Sequence, residues 1–284
     1  MGEKDISEKI LADYNDVFAD IVNVLLFQGE RLIKEEELTN TKDKSQYKAD
    51  GRLHEQERDL VKKWQREKVA LSLLGMENQT EGDCDMPMRI IGYDGAAYRA
   101  QSLSGQKERY PVITIVLHFG TEHRWKESLR LSEMFSVSEE LRPYFHDYGI
   151  NVFDIAFLSE EQINLFQSDF RIIADYLQQK RVKGSYTPDT AVIKHVDEVM
   201  KLLAVLTGCN DFIEAGDGLK REGGTVAMCQ VIEAIKRDGR EEGREEGKME
   251  LLAKFVRRGI LSMSEAAKEV DMDIDSFEKR IKGM

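Results

Sequence analysis

Proline is scarce in this chain. Only four are present among 284 residues (Pro87, Pro111, Pro143 and Pro188), and none precedes residue 87. Strand and helix interiors in the first third are therefore free of proline breaks. Cysteine is scarcer still. Cys84, Cys209 and Cys229 are odd in number and form no C-x-x-C pair, which excludes a zinc ribbon and a disulfide framework. No run of about 18 apolar residues occurs, so no transmembrane helix is expected. The opening residues, Met1 to Glu8, lack a secretory apolar stretch, and the expectation is a reduced, cytoplasmic protein. The phosphate-loop, dinucleotide-fold and nucleophile-elbow glycine motifs are absent. Of five histidines, His123 and His146 have no Cys or His at ligand spacing. His54 reads as solvated, and His118, inside an apolar run, reads as a core residue. Cys84 lies between Asp83 and Asp85, whose charges oppose thiolate formation; a Cys–His nucleophilic pair is not expected.

What is present is acidic and ordinary in its apolar content. Hydrophobic residues make up 41% and charged residues 33%, with a net charge of −12. That balance argues against a protein that coats nucleic acid with its whole surface. The charge is uneven, however. Residues 1–40 carry 4 Lys/Arg and 10 Asp/Glu, whereas residues 41–75 carry 9 Lys/Arg and 6 Asp/Glu. The second segment is locally positive, as a phosphodiester substrate would require.

Apolar periodicity predicts one long helix over 6–27, a polar loop over 37–52, and a hairpin formed by 57–64 and 69–74 about a turn at 65–68. A helix follows over 86–103. Residues 110–120 read as a strand covered on both faces, and 150–157 as another. Helices are expected over 159–180 and 189–207, the second closed by Gly208. Between 127 and 142 the pattern is loop-rich with a short helix. The mixed order implies an α/β fold, with a core over 1–185, a helical extension over 186–236, and a charged helical linker and small helical tail over 237–284. In that tail, glycines recur at 239, 243 and 247, and Ser262-x-x-Glu265 and Asp275-x-x-Glu278 fit capping boxes, with Gly259 a break before them. The outline is that of a helix-turn-helix or an oligomerisation element.

One acidic constellation points to chemistry. Asp59 lies in Glu57-Arg58-Asp59-Leu60, and Gly75-Met76-Glu77-Asn78-Gln79 follows. Folding the hairpin about residues 66–67 sets Asp59 opposite roughly residue 74, within a few residues of Glu77. On a strand, Glu77 and Gln79 share a face. Asp59 and Glu77 could hold Mg²⁺, which needs only one or two carboxylates plus water. Gln79 would orient water or a phosphate oxygen, and being neutral it cannot act as a general base.

These segments, with Asp13-Tyr14-Asn15-Asp16-Val17-Phe18-Ala19-Asp20, Arg89-Ile90-Ile91-Gly92-Tyr93-Asp94, Tyr110-Pro111-Val112 and Trp125, resemble the recombination-promoting nuclease family, the YhgA-like transposases of the PD-(D/E)XK nuclease superfamily. The resemblance spans roughly residues 10–180. It implies a restriction-endonuclease-like α/β core, a mixed β-sheet flanked by helices, and Mg²⁺-dependent cleavage of DNA in recombination or mobile-element movement. Carried over residue by residue, Asp59 and Glu77 take the metal-binding acidic positions and Gln79 the lysine position. The helix acid falls on Asp16 or Asp20, with Asp16 closer to the family's Asp-x-Phe pattern. DNA is the implied partner, and the tail offers a route to a homo-oligomer. The rival reading is a catalytically degenerate nuclease fold that binds DNA or protein.

Overall fold

The computed structural model describes residues 3–41, 44–49, 52–66, 69–105, 108–188, 190–221, 225–257 and 261–282. Its elements run α1 (Glu3–Ala12), α2 (Asn15–Phe27), β1 (Leu38–Asn40), β2 (Lys44–Ala49), β3 (Arg52–Glu57), β4 (Leu60–Arg66), β5 (Val69–Gln79), α3 (Met86–Leu103), β6 (Val112–His118), α4 (Leu131–Met134) and β7 (Asn151–Asp154). Then follow α5 (Glu160–Asn164), α6 (Phe170–Lys183), α7 (Val196–Thr207), α8 (Asp211–Arg221), α9 (Met228–Arg257), α10 (Met263–Glu269) and α11 (Ile274–Lys282). The chain forms two compact units, Met1–Cys229 and Gln230–Met284.

The first unit is built on a five-stranded mixed sheet ordered β1-β4-β5-β6-β7. β4 is antiparallel to β1 and β5, while β5, β6 and β7 are parallel. Helix α3 covers one face, where Val61, Leu73, Val112 and Val116 pack with Ile90, Tyr93 and Ala97. On the other face, buried Leu74, Met76, Ile115 and Leu117 alternate with those residues along the strands, as the two-residue period requires. The Lys62 ammonium lies over the Phe18 ring of α2, and Phe119 meets Phe170 of α6 edge-on. With both faces covered, β6 reads as an almost unbroken apolar run, as internal parallel strands do. This is an α/β fold of the restriction-endonuclease kind, followed by a helical C-terminal tail.

Several expected elements are rearranged. The expected helix over 6–27 is two helices, broken at Asp13 and Tyr14. Tyr14 is extended and stacks on His195, while the buried Lys62 ammonium donates to the Asp13 carbonyl at 2.7 Å. The expected loop over 37–52 contains β1, β2 and the first residue of β3. The last two strands pair antiparallel, with Ala49 opposite Arg52. Residues 165–169 interrupt the expected 159–180 helix, because the Asp20 carboxylate accepts the amides of Gln167 and Ser168 at 2.8 and 2.7 Å. Of the expected 189–207 helix, residues 190–195 are not helical; there, Asp169 accepts the amides of Lys194 and His195. Gly208 does close α7 in the left-handed region.

The hairpin forms, but its register differs from the folded-back estimate. Arg66 pairs with Val69, two residues further along than a turn about 66–67 gives, and an irregularity between Trp64 and Gln65 adds a third. Leu60 therefore faces Met76, and Asp59 falls beside Glu77 rather than residue 74. Residues 67–68 of the expected turn lie outside the described residues.

The second unit has its own small core, in which Met249, Leu252, Ala253, Ala266, Ala267, Phe277 and Ile281 pack together. Ser262 and Glu265 form the expected capping box. The second box is displaced: α11 starts at Ile274, and Asp273 rather than Asp275 accepts the Ser276 amide. Gly259 lies outside the described residues.

One packing detail governs the end of β4. The Arg58 side chain, fully buried, crosses β5 at Gly75 to reach Asp94 of α3 at 2.7 Å. Asp94 also accepts the Thr114 hydroxyl at 2.7 Å and the Tyr148 hydroxyl. A Cβ at residue 75 would come within 2.8 Å of Arg58 Nη1 and 3.0 Å of Thr114 Oγ1. Overpacking of this kind costs about 1–3 kcal/mol, so Gly75→Ala is expected to lower the thermal midpoint by several degrees. An unchanged midpoint in differential scanning calorimetry would contradict this role for the glycine.

Candidate functional site

Asp59 precedes the first residue of β4, and Glu77 lies near the end of β5. The pairing of Leu60 with Met76 brings them side by side, and they are interlocked. The Asp59 amide donates to Glu77 Oε1 at 3.2 Å, and the Asn78 amide donates to Asp59 Oδ2 at 2.9 Å. Each remaining oxygen faces a cation: Lys9 of α1 lies 2.6 Å from Asp59 Oδ1, and Arg89 of α3 lies 3.1 Å from Glu77 Oε2. Arg89 is itself held by Asp83 at 2.6 Å. Glu77 is fully buried, whereas Asp59 keeps some access to water.

This burial sets the electrostatics. Desolvation, and then the charge of Asp59, push the Glu77 carboxyl up to about 7 against the pull of Arg89. The same buried surroundings, and the Glu77 charge, raise the Tyr93 phenol. Carboxyls whose ionisation is shifted by burial and by a second carboxylate cluster at functional sites.

Gln79 ends β5 on the same face as Glu77. Its register partner on β6 is His118, whose partner on β7 is Asp154. Gln79, His118 and Asp154 thus form a cross-strand row at the carboxyl ends of the parallel strands, where α/β sheets commonly bind ligands. His118 was expected in the core. It is buried, but its Nδ1 lies 2.7 Å from Asp154 Oδ1, and the residue lines a cleft of about 530 Å³. The alternating pattern of an apolar strand hides such a residue. Its signal would have been an Asp at the end of the next strand.

Asp16 and Asp20 sit elsewhere on α2. Burial works against ionisation of Asp16, yet hydrogen bonds from Lys194 at 2.7 Å and His195 at about 3 Å hold its carboxyl below the usual range. Asp20 pairs with Arg31 and clips the 167–168 turn. Among the described residues, no hydrogen bond or ion pair joins either of them to Asp59 or Glu77.

A five-stranded mixed sheet with helices on both faces gives the α/β fold of the restriction-endonuclease-like kind. A family model described as "Putative transposase, YhgA-like" matches residues 39–207, more than half of the chain, and the protein belongs to that family. Neither the curated proteins nor the solved structures give a match. No helix among the described residues is long and apolar enough to cross a membrane.

The raised Glu77 value carries a stability consequence. The folded protein holds a proton on Glu77 that the unfolded chain releases near 4.5. Between about pH 4.5 and 7 the folded state therefore binds more protons, and stability falls as pH rises through that window. The shift corresponds to about 3 kcal/mol. In the presence of chelator, Glu77→Gln is expected to be more stable than wild type at pH 8 and to lose that advantage near pH 4.5. Urea denaturation at the two pH values checks this, and an advantage that is absent at pH 8 would refute it.

Proposed function

We propose that the protein is a Mg²⁺-dependent DNA endonuclease, with Asp59 and Glu77 as metal ligands and Gln79 as the residue that orients the attacking water. The observation that supports this reading best is the interlocked carboxylate pair, whose inner member is an unstable anion in its buried setting. Two hard oxygen donors at adjoining strand ends suit Mg²⁺, which takes one or two carboxylates and keeps several waters. A divalent cation would also relieve the repulsion that raises Glu77. Bound there, the ion would polarise a phosphoryl oxygen and activate water.

The chain's own residues would do the rest. Arg89 tethers Glu77 from α3 and is fixed in turn by Asp83. The amides of Asp59 and Asn78 hold the two carboxylates in register. Lys9 brings a positive charge beside Asp59, where a phosphodiester anion would gain from it. Family membership supports a transposase- or nuclease-type role on DNA, in recombination or mobile-element movement.

A second reading has an observation in its favour. All four carboxylate oxygens are already matched by N–H groups or side-chain cations, as they would be in a degenerate core that binds DNA without cutting it.

The two readings separate on supercoiled plasmid. Wild-type protein is expected to nick it with Mg²⁺ and not with EDTA. Asp59→Asn and Glu77→Gln should each lower the rate at least about 100-fold, the scale of losing a catalytic electrostatic contact. Nicking that survives in both variants would refute the site. DNA binding by a wild type that never nicks would favour the second reading.

A further inference from the structure

The row beside Gln79 supplies a group that the carboxylate pair lacks. With Asp59 and Glu77 ionised to hold a metal and Gln79 neutral, none of the three is left to protonate the sugar oxygen that departs when a phosphodiester breaks. His118 is built for that task. Asp154 Oδ1 receives both His118 Nδ1 at 2.7 Å and the Trp125 amide at 2.8 Å, which fixes the carboxylate and orients the ring with its Nδ1–H toward Asp154. Trp125 packs edge-on against the imidazole, with ring centroids 5.6 Å apart. The other ring nitrogen, Nε2, occupies space that only a glycine leaves open, since a Cβ on Gly120 would come within 2.5 Å of it.

Position agrees with that role. Neighbouring strands lie about 4.8 Å apart and two residues advance about 6.6 Å along a strand, so His118 stands about 8 Å from Glu77 on the same sheet face. A phosphate held at the carboxylates, together with its ester oxygen, spans such a gap. The cleft at this end is lined by His118, Gly120, His123 and Lys180, with Glu81 and Glu122. Its lining is mixed in charge.

We propose that His118, positioned by Asp154, is the general acid that protonates the leaving oxygen of the phosphodiester, with the cleft receiving the nucleotide on that side. This rests on the nuclease reading above. In the step, the oxygen of water bonds to phosphorus and its proton passes to solvent. The bond from phosphorus to the leaving sugar oxygen breaks with its electron pair on that oxygen. The proton on Nε2 transfers to that oxygen, giving an alcohol and a phosphate monoester, and His118 regains a proton from solvent.

The test uses an end-labelled DNA duplex in which one linkage carries sulfur in place of the bridging oxygen that leaves, its side having been set from the product ends of ordinary cleavage. A thiolate departs without being protonated. With Mg²⁺ or Mn²⁺ and the full chain, His118→Gln is expected to cut the ordinary linkages about 100-fold more slowly than wild type. It should cut the sulfur linkage within about threefold of wild type, which also shows that fold and metal site survive. Asp154→Asn should show the same selectivity with a smaller loss. Equal loss at both linkages, or no loss at either, overturns the assignment while leaving the nuclease reading intact. A wild type that cuts neither linkage overturns both.

Discussion

The buried ion pair between Arg58 and Asp94 is the constraint on which the site depends. Asp94 is fixed from three sides, by Arg58, Thr114 and Tyr148, so it anchors α3, β6 and the segment before β7 to one carboxylate. Arg58 reaches it by crossing β5 where Gly75 has no side chain. Removing one partner of such a pair typically costs about 3–5 kcal/mol, because the other is left charged in the interior. The residue after Arg58 is Asp59. Fixing Arg58 therefore fixes the backbone from which Asp59 exchanges hydrogen bonds with the Glu77 segment.

The acids of this chain divide by what meets them. Asp16, Asp20 and Asp169 meet cations or backbone amides and fasten loops to helices. Each is spent on one arrangement of the chain. Glu77 differs, because burial and a neighbouring carboxylate leave its charge under-compensated even with Arg89 beside it. Excess negative potential held in a rigid frame is what a divalent cation would relieve, and it is also what makes the protonated form persist toward neutral pH.

Much of this was legible in the sequence, for physical reasons. The long strand over β6 and helix α3 followed from apolar periodicity, and the approach of Asp59 to Glu77 followed from the shortness of the hairpin. The three-residue error in register came from a turn set one residue too early and an irregularity at Trp64 that no residue pattern announces. The interruptions at Tyr14 and at 165–169 were hidden because they are imposed by distant groups, Lys62 and Asp20, that capture backbone atoms. β2 and β3 are polar and carry no apolar alternation, so their sequence reads as a loop. His118 was hidden by its apolar neighbours. Only strand order reveals that Asp154 stands next to it.

The central claim is that Asp59 and Glu77 together form a divalent-cation site. Titration of Mn²⁺ followed by electron paramagnetic resonance tests it without reference to catalysis. The account predicts one site per chain that is lost in Asp59→Asn and in Glu77→Gln, with both variants still folded by circular dichroism. Stoichiometric binding that persists unchanged in the two variants would contradict it.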